Sequence, residues 1–221
     1  DDLLIESMNY GTLYYLSANS VQYKYASIFG RVAYNWKNKY LFNFNFRRDG
    51  SSRFGPDKQF GNFWSIGSAW IFSNEGFFKN GNSLLSYGKL RGSFGTTGND
   101  GIGDYGYIST YTSTSTYGIS NAIVPSSQIA NPDYQWEVNR KLELALELGI
   151  WHDRLLFTSS FYRNRSGNQL VNDALPSITG SSGYIANLPA IVQNKGWEFE
   201  LNASAIKQRS FGWNISANLS L

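Results

Sequence analysis

The sequence predicts an all-β fold, and within that class a transmembrane antiparallel β-barrel segment of about eight strands. Three observations carry this expectation. Apolar and polar residues alternate strictly through several stretches. The connections between those stretches alternate between tight turns and long polar loops. All seven tryptophans fall within a few residues of a strand end. Indole rings favour the boundary between hydrocarbon and water, where the ring body is desolvated and the N–H stays hydrated, so two aromatic belts are implied. Trp36, Trp70, Trp151 and Trp213 flank the shorter connections, and Trp64, Trp136 and Trp197 open strands that follow long loops.

The predicted strands occupy residues 25–36, 39–48, 60–72, 86–95, 136–151, 154–165, 194–206 and 211–221. The first ends at Trp36, before the tight pair Lys37-Asn38. In the second, Tyr40, Phe42, Phe44 and Phe46 interleave with Leu41, Asn43, Asn45 and Arg47, giving a pleated strand one aromatic and one mostly polar face. The third and fourth are separated by a moderate connection, residues 73–85. In the fifth, Leu142, Leu144, Leu146, Leu148 and Ile150 oppose Lys141, Glu143, Ala145, Glu147 and Gly149, and His152-Asp153 turns the chain into the sixth. The seventh sets Trp197, Phe199, Leu201, Ala203 and Ala205 against Glu198, Glu200, Asn202 and Ser204. In the eighth, Phe211, Trp213, Ile215, Ala217, Leu219 and Leu221 oppose Gly212, Asn214, Ser216, Asn218 and Ser220. Ten residues rise about 33 Å, and a tilt near 40° brings that close to the roughly 25 Å apolar band of an outer membrane. Residues 49–59, 96–135 and 166–193 form long Gly- and Ser-rich loops, while 37–38, 152–153 and 207–210 are tight, which is the extracellular and periplasmic asymmetry of such barrels.

Composition agrees. The 221 residues are 42% hydrophobic and 17% aromatic, yet mean hydropathy is only -0.34, because a barrel confines its apolarity to every second residue. No run approaches the roughly 18 apolar residues of a membrane helix. The absence of cysteine excludes disulfides and thiolate metal sites. A net charge of +3 without a basic cluster argues against nucleic acid. The first residues, Asp1 to Glu6, do not read as a signal peptide.

The motifs then become recognisable. The run Arg47-Arg48-Asp49-Gly50-Ser51-Ser52-Arg53-Phe54-Gly55, the stretch from Phe60-Gly61 to Trp70, Leu90-Arg91-Gly92-Ser93-Phe94-Gly95 with Thr97-Gly98-Asn99, and Asn131-Pro132-Asp133-Tyr134-Gln135-Trp136-Glu137 follow in order. Tyr162-Arg163-Asn164-Arg165 and Asn194-Lys195-Gly196-Trp197-Glu198 follow these. Together they resemble the barrel signatures of SusC/RagA-type TonB-dependent transporters of Bacteroidetes outer membranes. The resemblance implies a larger, 22-stranded barrel, of which residues 1–221 are part of a single domain, the plug domain having no counterpart in the chain. It further implies import of glycan or peptide oligomers across the cell outer membrane with a SusD-like lipoprotein lid, and energy from TonB acting through regions outside this chain. Outer-membrane lipid is the expected surrounding, and no cofactor or enzymatic activity is expected.

On this reading Arg31, Asn43, Asn45, Arg47, Lys141, Glu143, Glu147, Glu198, Glu200, Asn202 and Asn214 face a wet lumen. Arg48, Asp49, Arg53, Asn99, Asp100, Tyr105, Tyr111, Tyr117 and Tyr184 lie on the long-loop side as candidates for contact with substrate or lid, or as loop braces. Other motifs have weaker claims. Gly101-Ile102-Gly103-Asp104-Tyr105-Gly106 spells a dinucleotide pattern but is followed by no helix. Asp100 and Asp104 offer calcium-type oxygens in what reads as a plain loop. The single histidine, His152, sits in a turn, and no catalytic residue is expected. The sequons at Asn202 and Asn214 arise from strand alternation. The acid pairs Glu143/Glu147 and Glu198/Glu200, which could suggest glycoside hydrolysis, are expected to pair with Arg or Lys on neighbouring strands. Two other readings are compatible with these features. One is a complete eight-stranded barrel of structural or adhesive role, which requires the first and last strands to pair. The other is a soluble glycan-binding β-sandwich.

Overall fold

Antiparallel strands need turns whose twist matches their own, and the first hairpin supplies one. Lys37 and Asn38 take φ of 54° and 53°, the left-handed sense of a type I′ turn, which asparagine tolerates well. The Asn35 carboxamide donates to Asn38 Oδ1 at 2.8 Å and accepts from the Asn38 N–H at 3.0 Å, closing the turn. The tight turn between Ile150 and Leu155 repeats the device at Trp151, His152 and Asp153, with φ between 55° and 60°.

A computed structural model describes residues 20–79, 84–116, 119–125, 130–176, 178, 183–208 and 210–221. Its strands are β1 (Tyr25–Trp36), β2 (Tyr40–Ser51), β3 (Phe60–Trp70), β4 (Leu85–Asn99), β5 (Tyr111–Thr116), β6 (Ile119–Pro125), β7 (Glu137–Ile150), β8 (Leu155–Gly167), β9 (Gln169–Ala174), β10 (Gly183–Leu188), β11 (Val192–Lys207) and β12 (Gly212–Ser220). A turn of 3-10 helix at Phe72–Asn74 and a four-residue helix at Gly76–Lys79 interrupt the moderate connection.

Eight strands form one antiparallel meander in the order β1-β2-β3-β4-β7-β8-β11-β12. All eight predicted strands are present, and β2, β4 and β11 run further toward the long-loop end than alternation alone indicated. The predicted long loops differ in kind: residues 96–135 and 166–193 carry two local hairpins, β5–β6 and β9–β10, each its own two-stranded sheet. β1 and β12 are the two edges of the sheet and do not pair with each other, which removes the closed eight-stranded barrel. A sandwich is also excluded as a description of these residues, since the main strands form one layer and run 9 to 16 residues, well above the usual five or six.

Register carries side-chain parity from strand to strand, because directly opposed residues share a face. Val32 opposes Phe44, which opposes Ile66, which opposes Phe94, which opposes Leu142. Farther along, Leu144 opposes Phe161, which opposes Trp197, and Phe199 opposes Leu219. These residues make one apolar face. It stays open: Phe44, Trp64, Leu144, Trp197 and Leu219 are each more than a third exposed. A contiguous uncovered apolar surface of this size marks contact with something other than water. The other face carries mostly Asn, Ser, Lys, Arg and Glu, with Phe29 on β1, Leu41 on β2, Phe63 on β3 and Leu156 on β8 among the apolar exceptions.

Trp197 and Trp213 lie near opposite ends of the apolar face, and Trp213 is opposite Ile206. Nine residues along a strand tilted near 40° separate these levels by roughly 23 Å. Trp136 departs from the belt assignment. It is buried, its indole N–H donates to the Gln59 carbonyl at 3.1 Å, and its ring packs on Phe54 and Phe63 at 5.0 and 5.5 Å. Strand β7 begins one residue later, so Trp136 belongs to the rim core and not to the sheet's apolar face.

The β1–β2 turn is the piece of local chemistry that sets this register first. Asn38→Val, which places a β-branched residue at positive φ and deletes the Asn35 contact, is expected to lower stability by about 1–2 kcal/mol. Lys37→Gly should leave stability unchanged or raise it. Urea unfolding midpoints of the two variants in detergent micelles check both directions.

Candidate functional site

Two regions present polar chemistry: the polar face of the sheet, and the rim where the long connections gather. All eleven residues expected on the lumen side stand on the polar face by register. Arg31 donates to Asn43 Oδ1 through Nε at 3.3 Å and Nη2 at 3.0 Å, and the Asn45 carboxamide donates to Ser65 Oγ at 3.0 Å. Between β4 and β7 an ionic ladder forms. Arg91 bridges Glu143 at 2.6 Å and Glu147 at 2.8 Å, and Lys89 reaches Glu147 at 3.2 Å. The acids Glu143 and Glu147 are thus held by cations of the neighbouring strand, an arrangement for charge neutralisation and not for general acid and base chemistry. Glu198 and Glu200 differ from expectation: Glu200 accepts from Asn202 Nδ2 at 2.7 Å, and among the described residues neither acid has a cationic partner. Asn214 accepts from Ser204 Oγ at 2.9 Å.

The polar face is concave. A depression of about 850 Å³ is lined by Arg31 of β1, Asn43 and Asn45 of β2, Lys141 and Glu143 of β7, and Glu198 of β11. Residues six strands apart border one space only if the sheet curls toward its polar side.

The rim is braced from several elements. Asp100 Oδ2 accepts from Tyr23 OH and from Ser51 Oγ, each at 2.8 Å, joining the segment before β1, the end of β2 and the end of β4. Arg53 donates through Nε to Asp104 at 3.0 Å and through Nη1 to the Asp100 carbonyl at 3.0 Å, with its guanidinium 4.4 Å from the Tyr23 ring centre. The hydrogen bond to Asp104 raises the Arg53 pKa further above its ordinary value, and burial followed by the Asp100 hydrogen bond raises that of the Tyr23 phenol. Beneath this lies a small core of Phe54, Phe63, Ile102, Tyr134 and Trp136, flanked by Tyr107 and Leu170. Gly61 makes room for it, since a Cβ there would sit 2.5 Å from the Phe63 ring, and Gly98 does the same for that ring.

The nine long-loop candidates divide accordingly. Asp49, Arg53, Asn99 and Asp100 are spent on bracing: Asp49 is buried and paired with Arg47 at 2.5 Å, and Asn99 donates to Glu137 at 3.1 Å. Tyr105 takes a left-handed φ of 62° and accepts from the Gln22 N–H at 2.9 Å. Arg48 lies within β2, on the same face as Phe46, its guanidinium 4.9 Å from the Phe60 ring centre, so it stands on the apolar side and not among the loops. Tyr111 is exposed at the start of β5, Tyr184 pairs across β9–β10 opposite Asp173, and Tyr117 lies outside the described residues. The Asp100 and Asp104 oxygens that could suit calcium are engaged by Tyr23, Ser51 and Arg53. His152 and Asp153 sit in the β7–β8 turn, where Asp153 accepts from Ser86 Oγ at 2.7 Å. Sequence reasoning missed Tyr23, Ser51 and the rim core. One signal was available: Phe63 is an aromatic at a polar-face position of β3, between Gly61 and Ser65.

Comparison with known proteins places these features. Residues 5–221 match the family described as "TonB dependent receptor-like, beta-barrel". The chain is 35% identical over 195 residues to TonB-dependent receptor P39 of Formosa agariphila, covering 88% of this chain and 18% of that protein. It is 31% identical over 199 residues to TonB-dependent receptor SusC of Bacteroides thetaiotaomicron, covering 87% and 20%. It therefore spans about a fifth of the length of the curated relatives it matches. Among solved structures, that of the RagAB peptide transporter aligns with a TM-score of 0.81 at 28% identity over 90% of this chain and 22% of that one. The siderophore receptor PirA of Pseudomonas aeruginosa, at 14% identity and a TM-score of 0.55, shares the fold.

Asp100→Ala should detach Tyr23 and Ser51 while leaving the sheet intact. The expected loss is about 1–3 kcal/mol of local protection, read by hydrogen exchange as faster amides at positions 22–24 and 51–53 with unchanged rates in β7 and β8.

Proposed function

The chain belongs to the TonB dependent receptor-like β-barrel family, and from that premise we propose that it forms part of the wall of an outer-membrane importer of nutrient oligomers, glycan or peptide. The observation that carries this reading is the two-faced sheet. One curved layer presents aromatic and aliphatic side chains outward and a hydrogen-bonded, ion-paired surface toward a depression of about 850 Å³. In a bilayer the first face meets acyl chains and the second meets water and cargo. Arg31, Asn43, Asn45, Arg47, Lys141, Glu143, Glu147, Glu198, Glu200, Asn202 and Asn214 then line the pore. The short turns lie on the periplasmic side and the braced rim on the outer side, the arrangement usual for such barrels.

The relatives support the rest. SusC is a TonB-dependent receptor, and RagAB is a peptide importer. By this likeness the complete protein works with a SusD-like surface lipoprotein and draws energy from TonB. Tyr111 and Tyr184, at the rim hairpins, are the candidates for contact with cargo or lid, since flat rings stack on sugars and peptide planes at low entropic cost. Asp49, Arg53, Asn99 and Asp100 hold the platform from which these hairpins project.

The test uses the full-length protein in its own outer membrane. Phe44→Arg places a guanidinium against acyl chains at a cost of about 2–4 kcal/mol near mid-membrane, and assembled protein should be lost. Asn45→Arg, one residue along, turns its charge into the pore and should assemble normally. Heat-modifiable migration of outer-membrane fractions distinguishes the two, and equal damage from both would end the assignment of faces. Growth on a candidate oligomer as sole nutrient should fail when the gene is deleted.

A further inference from the structure

Among the described residues, the apolar face carries charge at five positions. Parity and register place Arg48, Arg140, Arg163, Arg165 and Lys195 on it, and every Asp and Glu of the eight main strands on the other face. All five cations stand at the long-loop ends of their strands. Four of them form one patch. Arg140 opposes Arg165, which opposes Gln193, and in the next row Leu142 opposes Arg163, which opposes Lys195. The row below is Leu144, Phe161 and Trp197, with the Phe161 and Trp197 rings 5.2 Å apart. The cations therefore begin where the aromatic belt ends.

The patch is also pre-ordered. Gln193 Oε1 accepts from Arg163 Nε at 3.1 Å and from Arg165 Nε at 2.7 Å. One carboxamide oxygen thus orients both guanidinium groups and leaves their Nη groups without a protein acceptor among the described residues. No ion pair neutralises Arg140, Arg163, Arg165 or Lys195 among those residues. The cations occupy about 7 Å along the strands and about 10 Å across them. They sit on β7, β8 and β11, none of which is an edge strand, so whatever pairs with the sheet edges does not cover them. Long cationic stems reach the interface with little penalty, and paired guanidinium forks match phosphate oxygens bidentately.

Resting on the membrane reading above, we infer that Arg140, Arg163, Arg165 and Lys195 form a docking site for the phosphate-bearing headgroup of an outer-leaflet lipid. Its acyl chains lie along Leu142, Leu144, Phe161 and Trp197, and its phosphate oxygens take the Nη donors that Gln193 leaves directed outward.

The experiment uses the full-length protein, purified from outer membranes in mild detergent and washed to constant lipid content, with bound lipid phosphate measured by phosphorus assay and native mass spectrometry. The triple variant Arg163→Gln, Arg165→Gln, Lys195→Gln should retain at least about tenfold less phosphate than wild type. Arg31→Gln removes one charge from the opposite face and should retain the wild-type amount. A charge-keeping variant, Arg163→Lys with Arg165→Lys, should retain an intermediate amount. Heat-modifiable migration establishes that each variant is an assembled barrel. Assembled protein with equal phosphate in wild type and triple variant overturns the inference alone. Loss of a co-purifying surface lipoprotein with lipid phosphate unchanged also overturns it, in favour of a protein partner. Absence of wild-type protein from the outer membrane takes down this inference together with the importer reading.

Discussion

Everything in this molecule depends on antiparallel register carried across eight strands, with register shifts only near the strand ends, at Leu85/Tyr87 and Ser204/Ile206. Side chains alternate faces along a strand, and opposed residues share a face, so one slip of a single residue would turn Phe42, Phe44 and Phe46 inward and Asn43 and Asn45 outward. Register is pinned by left-handed turns at one end, by the Arg91–Glu143–Glu147–Lys89 ladder near the middle, and by the Asp100 and Arg53 contacts at the other end. None of these is large alone. Together they hold the partition that lets a chain with modest mean hydropathy present a continuous apolar exterior.

The rim obeys different physics from the sheet. Below it, apolar groups are left uncovered and polar groups pair across strands. At the rim lies the one cluster of buried aromatics among the described residues, and alternation gives way to close packing. Phe63 turns onto the polar side because Gly61 and Gly98 leave it space, and Trp136, Tyr134 and Phe54 close around it. The same few residues anchor the loop after β2, the loop after β4 and the entry to β7. Rim hairpins can therefore vary in sequence and length without disturbing the strands beneath them.

The eight main strands were legible in the sequence because each is long and several alternate strictly, and the order of motifs pointed to the right family. The hairpins β5–β6 and β9–β10 were not legible. They are six or seven residues long, β5 is Ser- and Thr-rich, and their pairing is local, so no second face needs to be apolar. Trp136 was read as a belt residue because its position near a strand start is the same in sequence whether the ring faces outward or folds into a core. Arg48 was grouped with the loop candidates because the strand was expected to end on it, whereas the strand continues through Ser51. Asp100 was placed at the long-loop end of the molecule, but its partners Ser51 and Tyr23 lie 49 and 77 positions away, which spacing along one chain does not display.

Among the described residues, both lateral borders of the sheet carry strands whose outward N–H and C=O groups face no neighbour, and every residue of β1 and β12 is exposed. In hydrogen-bonding terms the sheet is bivalent. Hydrocarbon offers nothing to satisfy such groups, so the span can be stable in a bilayer only as an arc of a closed ring. Freed from that ring, it would stack edge to edge with its own copies, because an unpaired strand accepts another strand with little regard for its source.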